Sequence, residues 1–311
     1  MPHQNALPSA KRIVIRLQDG LGNQLFQYAL GRRLALDRKV SLYLDASWYV
    51  NPRQPLQSRT IGLTEFNIDG ELSFDSRWSE AWLPRGIFEK LRWRVEQRFF
   101  PLTWRQLVQE SPADYLALRR TFDERILNVH PGCYLIGWWV SPRYFEGIEG
   151  TLRGELTLRE ESVVRLAPHL AEVAGGEAVS IHVRRGDYSR HPEIGLLDRA
   201  YYERALEVIR SKVSNPSFFV FSDDVTGAKE LLRGLGQFRY VALGEGFSAA
   251  MNLWLMAACK HFINANSTFS WWGAWLAKNP DKVIVVPENW FVGAKVQVAD
   301  VYPSGWIQLP L

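Results

Sequence analysis

The chain has 311 residues, of which 47% are hydrophobic and 23% charged, with a formal net charge of +4 and a pI near 9.0. That length holds one large domain or two medium ones, and the composition is that of a soluble globular protein, not of a disordered or fibrous one. The basic excess favours an anionic partner: nucleic acid, a nucleotide or an anionic membrane surface. Cys133 and Cys259 are too few for a disulfide framework and fit a reducing compartment. The opening MPHQNALPSAKR lacks a signal-peptide core, and no run approaches the roughly 18 apolar residues of a membrane span. A cytoplasmic protein is expected. The thirteen tryptophans exceed ordinary usage, and tryptophan stacks on sugar faces as well as filling cores.

KRIVIR (11–16) reads as a buried strand, being short, β-branched and flanked by charge. QDGLGNQ follows, and NQLFQYALGRRLALD places Phe26, Leu30 and Leu34 on one helical face. VSLYLD (40–45) is a second strand, so the start is a βαβ unit with a parallel sheet. Residues 51–76 read as loops and short strands, and CYLIGWWVSPRYF (133–145) as a strand and turn. Residues 150–178 read as a helical connection ending at Gly175–Gly176. Strand and helix patterns then alternate from AVSIHV to KVIVVP. The pattern predicts an α/β fold of two Rossmann-like, doubly wound domains, 1–165 and 166–311, facing a cleft.

In between, residues 85–105 carry Arg85, Lys90, Arg92, Arg94, Arg98 and Arg105, with Phe88, Leu91, Val95 and Phe99 at helical spacing. A basic helix with an apolar face either packs on its own domain or lies on an anionic bilayer. The more common packed arrangement is the expectation, with peripheral membrane contact as the alternative.

Ligands in open α/β sheets gather at the carboxyl ends of strands, and three such ends carry chemistry here. HVRRGDY (182–188) ends a strand in Arg184 and Arg185. Their planar guanidinium forks suit a diphosphate, although an Arg–Asp cluster can equally hold a loop. FSDD (221–224) offers Asp223 and Asp224, which can accept from a ribose or from the N1–H and amine edge of guanine; such residues also cap helices. NANSTFSWWGAWL (264–276) puts Asn266, Ser267 and Thr268 at a strand-to-helix turn, where N–H groups and hydroxyls bind phosphate. The same residues are good caps, and Trp271, Trp272 and Trp275 are candidate core. In the first unit DGLGNQ is a partial glycine fingerprint. The amides of Asn23 and Gln24 suit sugar hydroxyls or a phosphate oxygen.

Taken in order, GLGNQLFQYALGRRLA, GWWVSPRYF, HVRRGDY, FSDD and NSTFSWWGAWL resemble the bacterial α-1,2-fucosyltransferases of glycosyltransferase family 11. The resemblance covers about 11–45 and 130–290. It implies a GT-B-like architecture, GDP-β-L-fucose as donor in the C-terminal domain, and a galactose-terminated acceptor, lipid-linked in some settings, on the N-terminal side. It implies inverting transfer to a galactose 2-hydroxyl, no metal or other cofactor, and no nucleic-acid partner. Asn23, His182, Arg184, Arg185, Asp223, Asp224, Asn266, Ser267, Thr268 and Phe269 would then bind the donor. Arg185 would also stabilise charge on the departing phosphate. Asp187 is the first candidate for the base, followed by His191 and Glu193. Asp19 stands where the family usually has another glycine, and GWWVS differs from the commoner aromatic-Gln-Ser form. Two other classes fit less of the pattern: another GDP-sugar transferase, such as an α-1,6-fucosyltransferase with its Arg-Arg-x-Asp motif, and a non-catalytic glycan-binding protein.

Overall fold

The structure is a computed structural model that describes residues 12–50, 60–76, 86–88, 90–92, 95, 107–110, 122–186, 188, 194–241, 246–291 and 300–311. The chain divides into two compact units, Met1–Leu156 and Thr157–Leu311. Residue 165, where the sequence pattern sets the boundary, lies inside a helix of the second unit, Glu160–Ala174. Each unit is α/β and Rossmann-like, the composition of a GT-B-like fold.

In the first unit, β1 (Arg12–Arg16), β2 (Ser41–Asp45), β3 (Glu71–Ser73), β4 (Leu107–Gln109) and β5 (Tyr134–Ile136) form one sheet in the order β3-β2-β1-β5-β4. Every pairing is parallel. Ile13, Val14 and Ile15 are fully buried, as expected for a strand covered on both faces. Helix α1 (Leu21–Arg38) buries Leu25, Phe26, Ala29, Leu30 and Leu34. At its C-terminus Lys39 takes a left-handed φ of 53°, and Arg38 donates to the carbonyls of Leu127 and Val129. Helix α2 (Glu149–Glu155) is tied to α1 by polar contacts. Tyr28 Oη donates to Glu155 Oε2 at 2.5 Å, and Arg32 Nη2 to Oε1 at 2.7 Å.

In the second unit, α3 (Glu160–Ala174) leads through Gly175–Gly176 to β6 (Glu177–Val183). Then come α4 (Arg199–Lys212), β7 (Pro216–Ser222), α5 (Val225–Leu231), β8 (Arg239–Tyr240), α6 (Ala249–Ala257), β9 (His261–Ile263), α7 (Thr268–Leu276), β10 (Ile284–Pro287) and β11 (Ile307–Leu309). The sheet order is β11-β10-β9-β6-β7-β8, again all parallel. One face packs Val179, Ile181 and Val183 of β6 against Tyr201, Tyr202, Ala205 and Ile209 of α4 and Ala228 of α5. Side chains alternate along a strand, so His182 points to the opposite face, where its ring lies 5.8 Å from Phe269 of α7.

The tryptophans of α7 are core: Trp271 and Trp272 are buried and tilted edge to face at 5.1 Å, and Trp271 Nε1 donates to Val301 O at 2.7 Å. They are unavailable for sugar stacking. Both cysteines are buried, and burial pushes each thiol up to about 12. Strands β4 and β11 have no counterpart in the sequence reading. Of the described part of FRYVAL, residues 238–241, Arg239–Tyr240 is strand.

Gly31 sits where α1 crosses the sheet. A Cβ there would lie 2.8 Å from Leu42 Cδ1 and 3.0 Å from Ile15 Cγ2. Its absence lets the helix seat closely, at a helix-propensity cost of about 1 kcal/mol against alanine. Gly31→Val is expected to lower stability by about 1–3 kcal/mol through overpacking. The measurement is a lower urea midpoint at unchanged slope.

Candidate active site

In the second unit the chain steps outward from β6 through β7 to β8, then returns to place β9 on the other side of β6. That reversal is a topological switch point, and ligands of open α/β sheets gather at the carboxyl ends of strands at such points. HVRRG leaves β6 there, FSDD leaves β7 and NANST leaves β9. The three motifs therefore share one edge of one sheet.

Hydrogen bonds and ion pairs join them. Asp223 Oδ1 accepts from the backbone N–H of Arg185 at 2.9 Å, and Oδ2 pairs with Arg184 Nη1 at 3.0 Å. Burial pushes the Asp223 carboxyl up, but Arg184 and the N–H groups of Arg185 and Gly186 outweigh it, so the net direction is down. Asp223 stays ionised at neutral pH. Arg185 Nε lies 3.5 Å from Asp224 Oδ2. Asp224 also caps α5, accepting from Gly227 N at 2.9 Å.

Two glycines make this crossing possible. A Cβ on Gly186 would meet Asp223 Oδ2 at 2.5 Å, and one on Gly227 would meet Asp224 Oδ2 at 2.2 Å and Arg185 Nε at 2.5 Å. The loop also closes toward β9. Arg184 lies over the Tyr188 ring at 5.3 Å, and Tyr188 Oη donates to Asn266 O at 3.1 Å. The result is a pair of guanidinium groups, 18% and 31% exposed at the side chain, at the carboxyl end of β6. Such an arrangement suits a diphosphate, which offers several oxygens to two planar forks.

A family model for Glycosyl transferase family 11 matches residues 12–310. The chain belongs to glycosyltransferase family 11. It is 30% identical to an alpha-1,2-colitosyltransferase of Escherichia coli over 311 residues, covering 96% of this chain and 98% of the relative. It is 29% identical to the O-antigen biosynthesis glycosyltransferase WbnK of Escherichia coli, covering 89% and 94%. A mouse galactoside 2-alpha-L-fucosyltransferase, Sec1, is 30% identical across 57% of this chain and 51% of its own length. Among solved structures, a mutant Arabidopsis thaliana FUT1 in complex with GDP aligns at TM-score 0.51 and 13% identity over 90% of this chain and 71% of that one. At that identity the likeness speaks for the fold.

In this family 11 chain the structure divides the anticipated site residues into three groups. Arg184, Arg185, Asp223 and Asp224 are interlocked, with His182 and Phe269 in ring contact beside them. Asn266 and Ser267 do structural work. The Asn266 amide donates to Trp290 O at 2.9 Å and, at 3.4 Å, to Ile194 O and Gly195 O. Ser267 caps α7, its Oγ accepting from Phe269 N at 3.3 Å, and Thr268 opens that helix. Asp187, His191 and Glu193 lie outside the described residues.

In the first unit the GLGNQ motif is mostly architectural. Gln24 Oε1 accepts from Gly62 N, and its Nε2 donates to the carbonyls of Asp19 and Thr60, so this amide has no capacity for a sugar hydroxyl. Gln27 accepts from Gln18 N and donates to Gly137 O, joining the loops that follow β1 and β5. Asn23 stays partly exposed in the first turn of α1. Asp19, in place of the family's glycine, has φ 64° and accepts from Trp138 Nε1. The left-handed backbone explains the glycine preference, and aspartate tolerates it better than most residues.

Asn264 is the residue that sequence reasoning missed. It is 1% exposed, and neither amide atom of its side chain has a hydrogen-bond partner. Extending the β6–β9 register Ile181↔Ile263 by one residue sets it beside His182. The Nδ1 of His182 is likewise buried without a partner, and burial, reinforced by Arg184, pushes the ring down to about 3. Two adjacent unsatisfied polar side chains at a switch point call for a ligand or water to complete them. Only proximity to HVRRG in the fold distinguishes Asn264 from a capping asparagine.

Gly186→Ala is expected to displace the Asp223 carboxylate, release Arg184 and weaken GDP binding about tenfold or more, read by calorimetry, with the melting profile nearly unchanged. The neutral His182 also predicts a pH effect. Its folded-state value lies below the ordinary 6.5, so below that pH the unfolded chain takes up a proton the folded chain refuses. Stability therefore falls as pH drops from about 6.5 toward 3, by about 1.4 kcal/mol per unit for this one group. Urea denaturation from pH 6.5 to 5 should show a shallower decline in His182→Gln than in the parent.

Proposed function

We propose that the chain transfers L-fucose from GDP-β-L-fucose to the 2-hydroxyl of a terminal galactose, with inversion and without a metal. The observation carrying this reading is the Arg184–Arg185 pair at the switch point, with Arg184 held by Asp223 at 3.0 Å and Arg185 beside Asp224 at 3.5 Å. As the fucosyl bond breaks, negative charge grows on the departing phosphate. Guanidinium groups already held in place stabilise it without reorganising during the step. The Asp223 oxygens are engaged by the loop, whereas the Asp224 side chain is 41% exposed and retains room for a ribose or guanine edge. His182 and Asn264 would complete their hydrogen bonds on the donor or on water beside it.

Inversion requires attack on the face opposite GDP, by a hydroxyl relieved of its proton. Asp187 is proposed as that base, with His191 and Glu193 as the next candidates. His182 is excluded as a base held near neutrality because it titrates far below pH 7. The acceptor is proposed to be a galactose-ended glycan of the bacterial surface, extended on the cytoplasmic side. The names of the Escherichia coli O-antigen relative and the mouse galactoside transferase support this. The colitosyl relative makes the donor sugar the first point to test.

Purified enzyme should release GDP from GDP-fucose in the presence of a galactoside and yield a 1,2-linked product. Turnover confined to a colitosyl donor would replace fucose in the proposal, and a 1,6 linkage would overturn the acceptor position. Arg185→Ala should lower kcat/KM by about 100-fold or more, and Arg185→Lys should not restore it, since the ammonium lacks the fork. Activity should persist in excess EDTA; loss on chelation with recovery by Mn²⁺ or Mg²⁺ would refute metal independence.

A further inference from the structure

Within the segment at 85–105, the described residues 86–88, 90–92 and 95 do not bury the apolar side chains that the packed arrangement calls for. Residues 87, 88, 90–92 and 95 are helical, and Lys90 N donates to Gly86 O. Its apolar residues are turned outward: Ile87 is 83% exposed, Phe88 87%, Leu91 57% and Val95 43%. At about 100° per residue these four span a single arc of about 100° on the helix. Lys90 falls about 60° beyond one border of that arc, and Arg92 about 40° beyond the other. Elsewhere among the described residues, exposed large hydrophobics are scattered: Val50, Phe74, Val164 and Leu311.

The charge is concentrated here too. Residues 85–105 hold six basic residues against two acidic ones, Glu89 and Glu96, an excess equal to the whole chain's +4. The rest of the sequence is balanced. An apolar arc bordered by cations, in a segment whose own net charge is +4, matches a surface that is apolar beneath and anionic at its face. We propose that this helix docks the enzyme on an anionic lipid bilayer, with Ile87, Phe88, Leu91 and Val95 entering the headgroup–acyl boundary. Lys90 and Arg92 then sit at the level of the phosphates, their long stems lying along the apolar arc. This concerns where the enzyme sits, not which sugar it moves, so its test is independent of turnover.

The test is sedimentation of the full chain with vesicles of phosphatidylcholine containing phosphatidylglycerol, and with phosphatidylcholine alone. Binding is expected to the first and not the second. It should weaken as salt shortens the screening length, and by about fivefold for each cation removed in Lys90→Gln and Arg92→Gln. Phe88→Glu and Leu91→Glu should each reduce binding tenfold or more while leaving the melting temperature and activity on a soluble acceptor unchanged. All four positions are solvent-exposed, and the glutamine variants keep the test valid if a glutamate variant misfolds. A supernatant-only protein with anionic vesicles at low salt overturns the proposal, as does equal binding to neutral vesicles. Self-association that Phe88→Glu abolishes, without vesicle binding, would assign the patch to a second copy of the chain instead.

Discussion

The Asp223 carboxylate is the constraint on which the site depends. It receives the backbone N–H of Arg185 and the guanidinium of Arg184, and so fastens the loop after β6 to the loop after β7. A partly buried carboxylate is costly to desolvate, and that cost is offset only because cations and N–H groups surround it. The same contacts settle the direction in which Arg184 points. The Arg184 guanidinium is therefore oriented by the protein before any phosphate arrives, which is the condition for electrostatic stabilisation of a departing diphosphate.

Preorganisation of this kind needs backbone to come very close to side chains. Gly186 and Gly227 permit it, each standing where a Cβ would collide with an aspartate oxygen. Asp19 meets a related demand in the first unit, holding a left-handed turn in a position that glycine would fill without strain. In both units the loop after the first strand is set by a few backbone contacts, and the polar side chains nearby divide between building the turn and meeting solvent. Gln24 and Gln27 build; Asn23 stays partly exposed.

Not every polar group at the switch point is satisfied. His182 Nδ1 and both amide atoms of Asn264 are buried without partners on adjacent strands. Buried polar groups usually find a partner, and these two lie next to the loop that carries the arginines. Burial keeps the histidine neutral, so it can donate and accept hydrogen bonds without adding positive charge next to Arg184.

By itself the sequence determined the alternation of strands and helices, because β-branched runs such as RIVIR and helical stripes such as Phe26, Leu30 and Leu34 are local signals. It also determined which strand ends carry arginine and aspartate, and hence the family resemblance. It did not determine β4 or β11. Three-residue strands carry too little pattern and form only because a neighbouring strand offers a parallel edge. Nor did it separate capping from binding at Ser267 and Asp224, or supporting from ligand-facing amides at Gln24 and Asn266. A side chain's free hydrogen-bonding capacity depends on which distant carbonyls and N–H groups the fold brings within 3.5 Å of it. The outward turn of Ile87, Phe88, Leu91 and Val95 was likewise decided only by the tertiary structure. An amphipathic period shows that a helix has an apolar face, but what that face meets depends on the elements packed around it.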